Sequence, residues 1–240
     1  MSQNYRLTVF LALGPALALG TWAQTPQQPK VAPGANEPDW VVILKDRYGL
    51  SMFDDLLNPI RTTAAATPGL FRKVRPGPVR FRPVIALGLA TRNRGGWYPA
   101  PTGPDENPDK KEVWSYIYRN TAEDLRTGKN LPPPLDPGAS IAFDPGEATF
   151  GLWISNDGLD DGGVFSQPAL VAKINQRLAK QPYKAMIYPN RDKQSGRIIP
   201  NSYIIGWEYS TNDDFQDVVC QLDNATLIDA PAAAKRSSHP

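Results

Sequence analysis

Short apolar runs set against Gly, Pro and Asp turns dominate the chain, and most of them carry a strand period. Val79 and Phe81 alternate with Arg80 and Arg82, a period of two that leaves one face wet. From Val84 to Ala90 the run is apolar on both faces, as in a core strand. Residues 112–118 place Val113, Ser115 and Ile117 on one face and Trp114, Tyr116 and Tyr118 on the other. Residues 39–44 predict the first strand, and residues 141–143, 149–155, 183–188, 202–208 and 218–222 predict further strands. Helical spacing is rarer. Leu170, Ile174 and Leu178 share one face of a helix over residues 168–179. A second short helix is expected over residues 51–57, with Ser51 as N-cap. Residues 92–104, which carry Trp97 and Tyr98, predict a Gly/Pro loop, and residues 121–138 are expected to be mostly loop. Many short strands between turns predict an all-β fold: an antiparallel two-sheet β-sandwich with one or two short helices.

The ends read differently. Residues 1–23 predict a secretory signal peptide: Arg6, an apolar run from Leu7 to Leu19, and the small-x-small triplet Thr21-Trp-Ala23. That run is interrupted at Gly14-Pro15 and is shorter than the roughly 20 residues a membrane span needs. The expected location is secreted or periplasmic, with no membrane span after cleavage. Residues 24–38 are a Gln/Pro/Ala-rich linker, residues 39–228 the sandwich domain, and residues 229–240 a small, polar, disordered tail.

Composition narrows the chemistry. The 25 prolines among 240 residues are about twice the usual share, which suits a fold rich in turns and edges. A formal net charge of +2, with no block of one sign, argues against nucleic acid as a partner. Cys220 is the single cysteine, so no intrachain disulfide forms. It aligns with Val218 and Leu222 on one strand face and is expected to point inward. His239 is the single histidine, which removes Ser-His-Asp triads and His-rich zinc sites.

Candidate chemistry concentrates in an acidic turn. Asp213, Asp214 and Asp217 follow closely on Glu208, between the strand over residues 202–208 and the one beginning at Val218. Like charges on one tight turn repel unless a cation or a hydrogen-bond network compensates them, and a hard cation such as Ca²⁺ takes six to eight oxygen ligands. Asn156, Asp157, Asp160 and Asp161 form a second oxygen-rich loop, able to share an ion if both loops lie at one end of the sandwich. No EF-hand spacing fits, and Asp and Asn also serve as plain turn formers. Trp97 and Tyr98 are candidate ligand-binding rings for a glycan, against the alternative of core packing. Glu208 with Asp214 or Asp217 would suit a glycosidase pair at the required separation. Asn224-Ala-Thr226 fits the glycosylation acceptor pattern.

The stretch 150–227 resembles a bacterial exoprotein module of unassigned function found in calcium-associated adhesins and other large surface proteins. The matching residues are Phe150-Gly151, Phe165-Ser-Gln-Pro-Ala-Leu170, Gly206-Trp-Glu208 and Asp214-Phe-Gln-Asp-Val-Val219. The resemblance implies a jelly-roll-like sandwich and calcium at Glu208, Asp214 and Asp217. The sequence departs from the pattern at Gln216, where Asn is commoner. Residues 39–145 are only loosely similar to hypothetical exported proteins of environmental bacteria. The expected function is an exported, non-enzymatic binding or structural module, calcium-stabilised, with a glycan or a surface protein as ligand. The alternatives are a carboxylate-dependent glycan-active hydrolase and a subunit of a cell-surface complex.

Overall fold

The computed structural model describes residues 38–57, 69–102, 107–158, 162–168, 170, 183–209 and 212–228. The expected signal peptide, most of the linker, the C-terminal tail, the helix over 168–179 apart from Pro168 and Leu170, and Asp160 and Asp161 lie outside the described residues. Among the described residues no helix is long and apolar enough to cross a membrane.

Two antiparallel sheets face each other. Among the described residues eleven strands build them: β1 Phe71–Lys73, β2 Val79–Ala86, β3 Asn93–Pro99, β4 Lys111–Tyr116, β5 Ala142–Phe143, β6 Phe150–Asn156, β7 Val164–Phe165, β8 Ala185–Arg191, β9 Ile198–Trp207, β10 Val218–Asp223 and β11 Ala225–Leu227. The first sheet runs β11-β1-β6-β3-β4, with β7 on β6; the second runs β5-β2-β10-β9-β8. The first strand pairs with the last, Phe71 opposite Leu227, and the second pairs with the last but one, Phe81 opposite Leu222. This folding back of the chain on itself is jelly-roll-like nesting.

Between the sheets lies an aromatic core that includes Phe81, Trp114, Tyr116, Phe150 and Trp207. Cys220 joins it with Val218 and Leu222, as the period of two requires. Burial holds its thiol well above the usual range, so it packs as a small hydrophobe.

Over part of its other face the second sheet is apolar too, which explains the apolar stretches 84–86 in β2, 203–207 in β9 and 218–220 in β10. A further cluster joins Ile85, Leu87, Met186, Tyr188, Ile204 and Val219 to Trp40, Ile43, Leu44 and Leu50. Here the structure corrects the expected strand over 39–44. It is α1, Trp40–Ile43, continued by a π-helical turn, Leu44–Tyr48. The Asp39 side chain accepts from the Val41 N–H and caps the helix, and helical phase puts Trp40, Ile43 and Leu44 inward while Val41 and Val42 stay exposed. Gly49, at φ 63°, ends it in the left-handed conformation.

Three further expectations change. Residues 51–57 form a turn, although Ser51 Oγ and Asp54 make the capping-type contacts; Leu57 instead donates its N–H to the Ile187 carbonyl and covers the edge of β8. Residues 121–138 contain α2, Ala122–Thr127, started by a capping box between Thr121 and Asp124. Residues 93–99 are the interior strand β3 rather than a loop. Gly95 and Gly96 mark a bulge there, because a Cβ on Gly95 would meet the Trp114 ring at 2.1 Å and one on Gly96 the Lys111 carbonyl oxygen at 1.9 Å.

Gly95→Ala is expected to lower the unfolding free energy by about 1–3 kcal/mol through overpacking against Trp114. The shift is read from the urea midpoint at constant slope. An unchanged midpoint would mean that this backbone approach is not needed.

Candidate metal centre

Strand register brings the acidic residues together. Ala185 pairs with Trp207, and Trp207 with Val218. One residue further on, Lys184, Glu208 and Asp217 stand side by side at the end of three neighbouring strands, and the Glu208 N–H donates to the Lys184 carbonyl at 3.1 Å. The described part of the turn, Asn212 to Gln216, then folds back over them.

Backbone donors hold the turn in place. Glu208 Oε2 accepts from the N–H groups of Asp214 at 2.8 Å and Phe215 at 3.4 Å. Asp217 Oδ2 accepts from the Tyr209 N–H at 2.7 Å, and the Asp217 carbonyl accepts from Leu87 and Gly88 at 2.9 and 2.8 Å. Asp214 Oδ2 accepts from Asn212 Nδ2 at 2.5 Å and Gln216 Nε2 at 3.1 Å. Asp213 and Phe215 adopt positive φ of 60° and 57°, which turns the chain sharply enough to send Asp214 inward. The Phe215 ring stacks on Tyr183 with centroids 5.2 Å apart.

Carboxylate oxygens of Glu208, Asp214 and Asp217 lie within 4.8 Å of one another. Glu208 is 0% and Asp214 1% exposed; Asp217 is partly buried. Burial pushes the Asp217 carboxyl well above the usual carboxylate range, the Glu208 carboxylate beside it pushes it further, and Asp214 adds to this against the Tyr209 hydrogen bond. Three carboxyl groups in so small a volume ionise together only if a cation or hydrogen-bond donors offset them. All the donors are hard oxygens, the set that Ca²⁺ takes.

The remaining candidates go elsewhere. Asp213 turns to Lys184, whose side chain is 0% exposed, with Nζ 3.9 Å from Asp213 Oδ1. Asp157 forms a two-pronged ion pair with Arg94 at 2.5 and 3.2 Å, so it does not join the three carboxyl groups. Trp97 and Tyr98 do not form an exposed platform. Tyr98 is buried, donates its hydroxyl to Gln167 and packs on Phe165; Trp97 is half-buried and stacks on Phe143 at 5.2 Å. They lie on a strand between two others, where large rings fill space. The Asn224 amide donates to the carbonyls of Arg75, Gly77 and Pro78, so its nitrogen closes a turn rather than standing clear for a sugar. Lys184 is the site residue that sequence reasoning missed; Gln216, read there only as a departure from the family pattern, holds Asp214. Lys184 immediately precedes β8, and its neighbours become visible only once β8 is registered against β9.

In protein stripped of divalent ions, Asp217 sets a pH dependence. Its folded pKa lies above the unfolded value of about 3.9. Between the two, the native state binds more protons than the unfolded chain, so stability falls as pH rises. The thermal midpoint in EDTA is expected to drop from about pH 4 toward neutral, and Asp217→Asn to flatten that slope. A slope retained in the variant would assign it to other groups.

The chain matches none of the family models, curated proteins or solved structures with which it was compared.

Proposed function

We propose that this protein is an exported binding or structural module whose β-sandwich is locked at one end by a hard cation, Ca²⁺ in the first place, held by Glu208, Asp214 and Asp217. The convergence of their carboxylate oxygens within 4.8 Å, two of the residues being fully enclosed, carries this reading. Taking several carboxylates out of water is costly without a compensating charge. A cation converts that cost into a clamp between the end of β9 and the start of β10, which are the two ends of the turn.

The same burial argues against a hydrolase. A glycosidase pair must face a sugar, whereas Glu208 and Asp214 are sealed beneath the turn. The cation's role is therefore to order the fold. As ligand class, protein is favoured over glycan. The rings of Trp97 and Tyr98 are committed to packing, whereas exposed Val41, Val42 and Phe53 border two grooves of ≈ 620 and ≈ 550 Å³ on the N-terminal layer.

Thermal unfolding in excess EDTA and then in millimolar calcium tests the clamp. At a hundred times its dissociation constant the ion adds about 2.7 kcal/mol, several degrees in the midpoint. Asp214→Ala and Asp217→Ala are expected to lose that gain. A midpoint indifferent to calcium would sink the proposal, and a gain that survives both variants would move the ion to another place.

A further inference from the structure

The outward side of α1 is apolar at its start and charged where the π-helical turn continues it. Trp40, Ile43 and Leu44 are buried against the second sheet, while Val41 and Val42 stay 40% and 50% exposed. Helical phase carries Lys45 and Asp46 along the same exposed side. The ridge so formed separates two hollows. One, of ≈ 620 Å³, lies between this ridge and α2 and has Val42, Ile43 and Leu125 among its walls. The other, of ≈ 550 Å³, lies between Val41 and the turn that carries Met52 and Phe53.

The charge around the hollows is one-sided, although the whole chain carries only +2. Lys45, Arg47, Arg126 and Lys193 line them, against the single carboxylate of Asp46. Arg126 is matched by Glu123 through two hydrogen bonds. Arg47 donates to the Leu125 carbonyl, a neutral acceptor that fixes the guanidinium without cancelling its charge. Lys193 stands exposed in the turn after β8. Among the described residues Lys45, Arg47 and Lys193 form no ion pair with a carboxylate.

We propose that the two hollows beside α1 bind an acidic amphipathic segment of a partner protein. Its apolar side chains seat on either side of Val41 and Val42, and its carboxylates face Lys45, Arg47 and Lys193. This rests on the reading of the chain as a protein-binding module and names the chemistry of the partner. Apolar anchors in a groove supply the burial, and opposite charges at the rim steer the approach. A second copy of the chain is a poor occupant, because it sets the same cations against one another. A lipid surface would meet the ridge and leave both hollows unfilled, whereas side chains of a peptide fill them. None of the three converging carboxyl groups lines either hollow, so the binding does not require the cation.

Fluorescence anisotropy with the full chain tests it. The probe is a labelled peptide of Leu and Glu, with Leu at i, i+3, i+4 and i+7, and its counterpart has Lys in place of every Glu. The Glu peptide is expected to bind and the Lys peptide not. Binding is expected to weaken as ionic strength rises from about 0.01 to 0.15 M, where the Debye length falls from about 30 to 8 Å. Val42→Asp is expected to weaken it about tenfold, as loss of a central anchor does, and Lys193→Glu roughly threefold. Val74→Asp, at an exposed apolar residue outside both hollows, should leave it unchanged. All three positions are exposed, and an unaltered thermal midpoint shows that the variants fold. Equal binding of the Lys peptide would overturn the proposal. So would a dimer in sedimentation that Val42→Asp abolishes, which assigns the face to a second copy. Binding to vesicles of equal parts phosphatidylcholine and phosphatidylglycerol, without peptide binding, would assign it to lipid instead. Peptide binding that ignores both Val42→Asp and Lys193→Glu would overturn the groove alone, whereas no peptide binding at all would overturn the protein-ligand reading with it. Running each titration in EDTA and in calcium keeps the result separate from the metal centre.

Discussion

Around Ile85, Ile204 and Val219 the second sheet is apolar on both faces, and the rest of the architecture answers that constraint. One face meets the first sheet through Phe81, Trp207, Cys220 and Leu222. The other face has to be covered as well, since bare Ile85, Leu87, Ile204 and Val219 would leave a large apolar area in water. The segment around Trp40 supplies the cover. Gly206 shows how closely it seats: a Cβ there would meet both the Trp40 ring and the Phe215 carbonyl oxygen at 2.6 Å. The N-terminal layer and the acidic turn thus rest against the same point of β9.

That shared point links packing to electrostatics. Because Phe215 is pinned between Tyr183 and the sheet, the residues on either side of it are forced inward, Asp214 and Gln216 included. The apolar anchor sets the geometry, and the charged groups accept it. An ordinary surface turn would let its carboxylates splay into solvent; this one is held down by a buried ring. The polar atoms are in turn stitched to the backbone through Glu208 and Asp217, so residues 212–217 are held by two independent kinds of contact.

Strand period and turn chemistry were enough to place β2, β4, β6, β9 and β10 and to point Cys220 inward, because each is a local pattern. The proximity of Glu208 to Asp217 was legible for the same reason, since the two flank one hairpin. What escaped depended on partners distant in sequence. Residues 39–44 have the composition of a strand, and only the cap made by Asp39 hints at a helix. Gly95 and Gly96 look like loop residues until the Trp114 ring is laid across them. Tyr98 looks available to a ligand until Phe165 and Leu170 close over it. Lys184 gives no local sign of its neighbour, because register alone sets it beside Glu208.

The nesting of the strands also governs how the molecule comes to exist. Phe71 finds its partner at Leu227, and Arg80 at Asp223; neither sheet can be completed until the last strands have been made. Folds dominated by such remote pairings form slowly, since loop-closure entropy is met before contacts repay it. A chain emerging N-terminus first therefore holds β1 and β2 as waiting edges throughout its synthesis, and closes both sheets almost at once when β10 and β11 arrive.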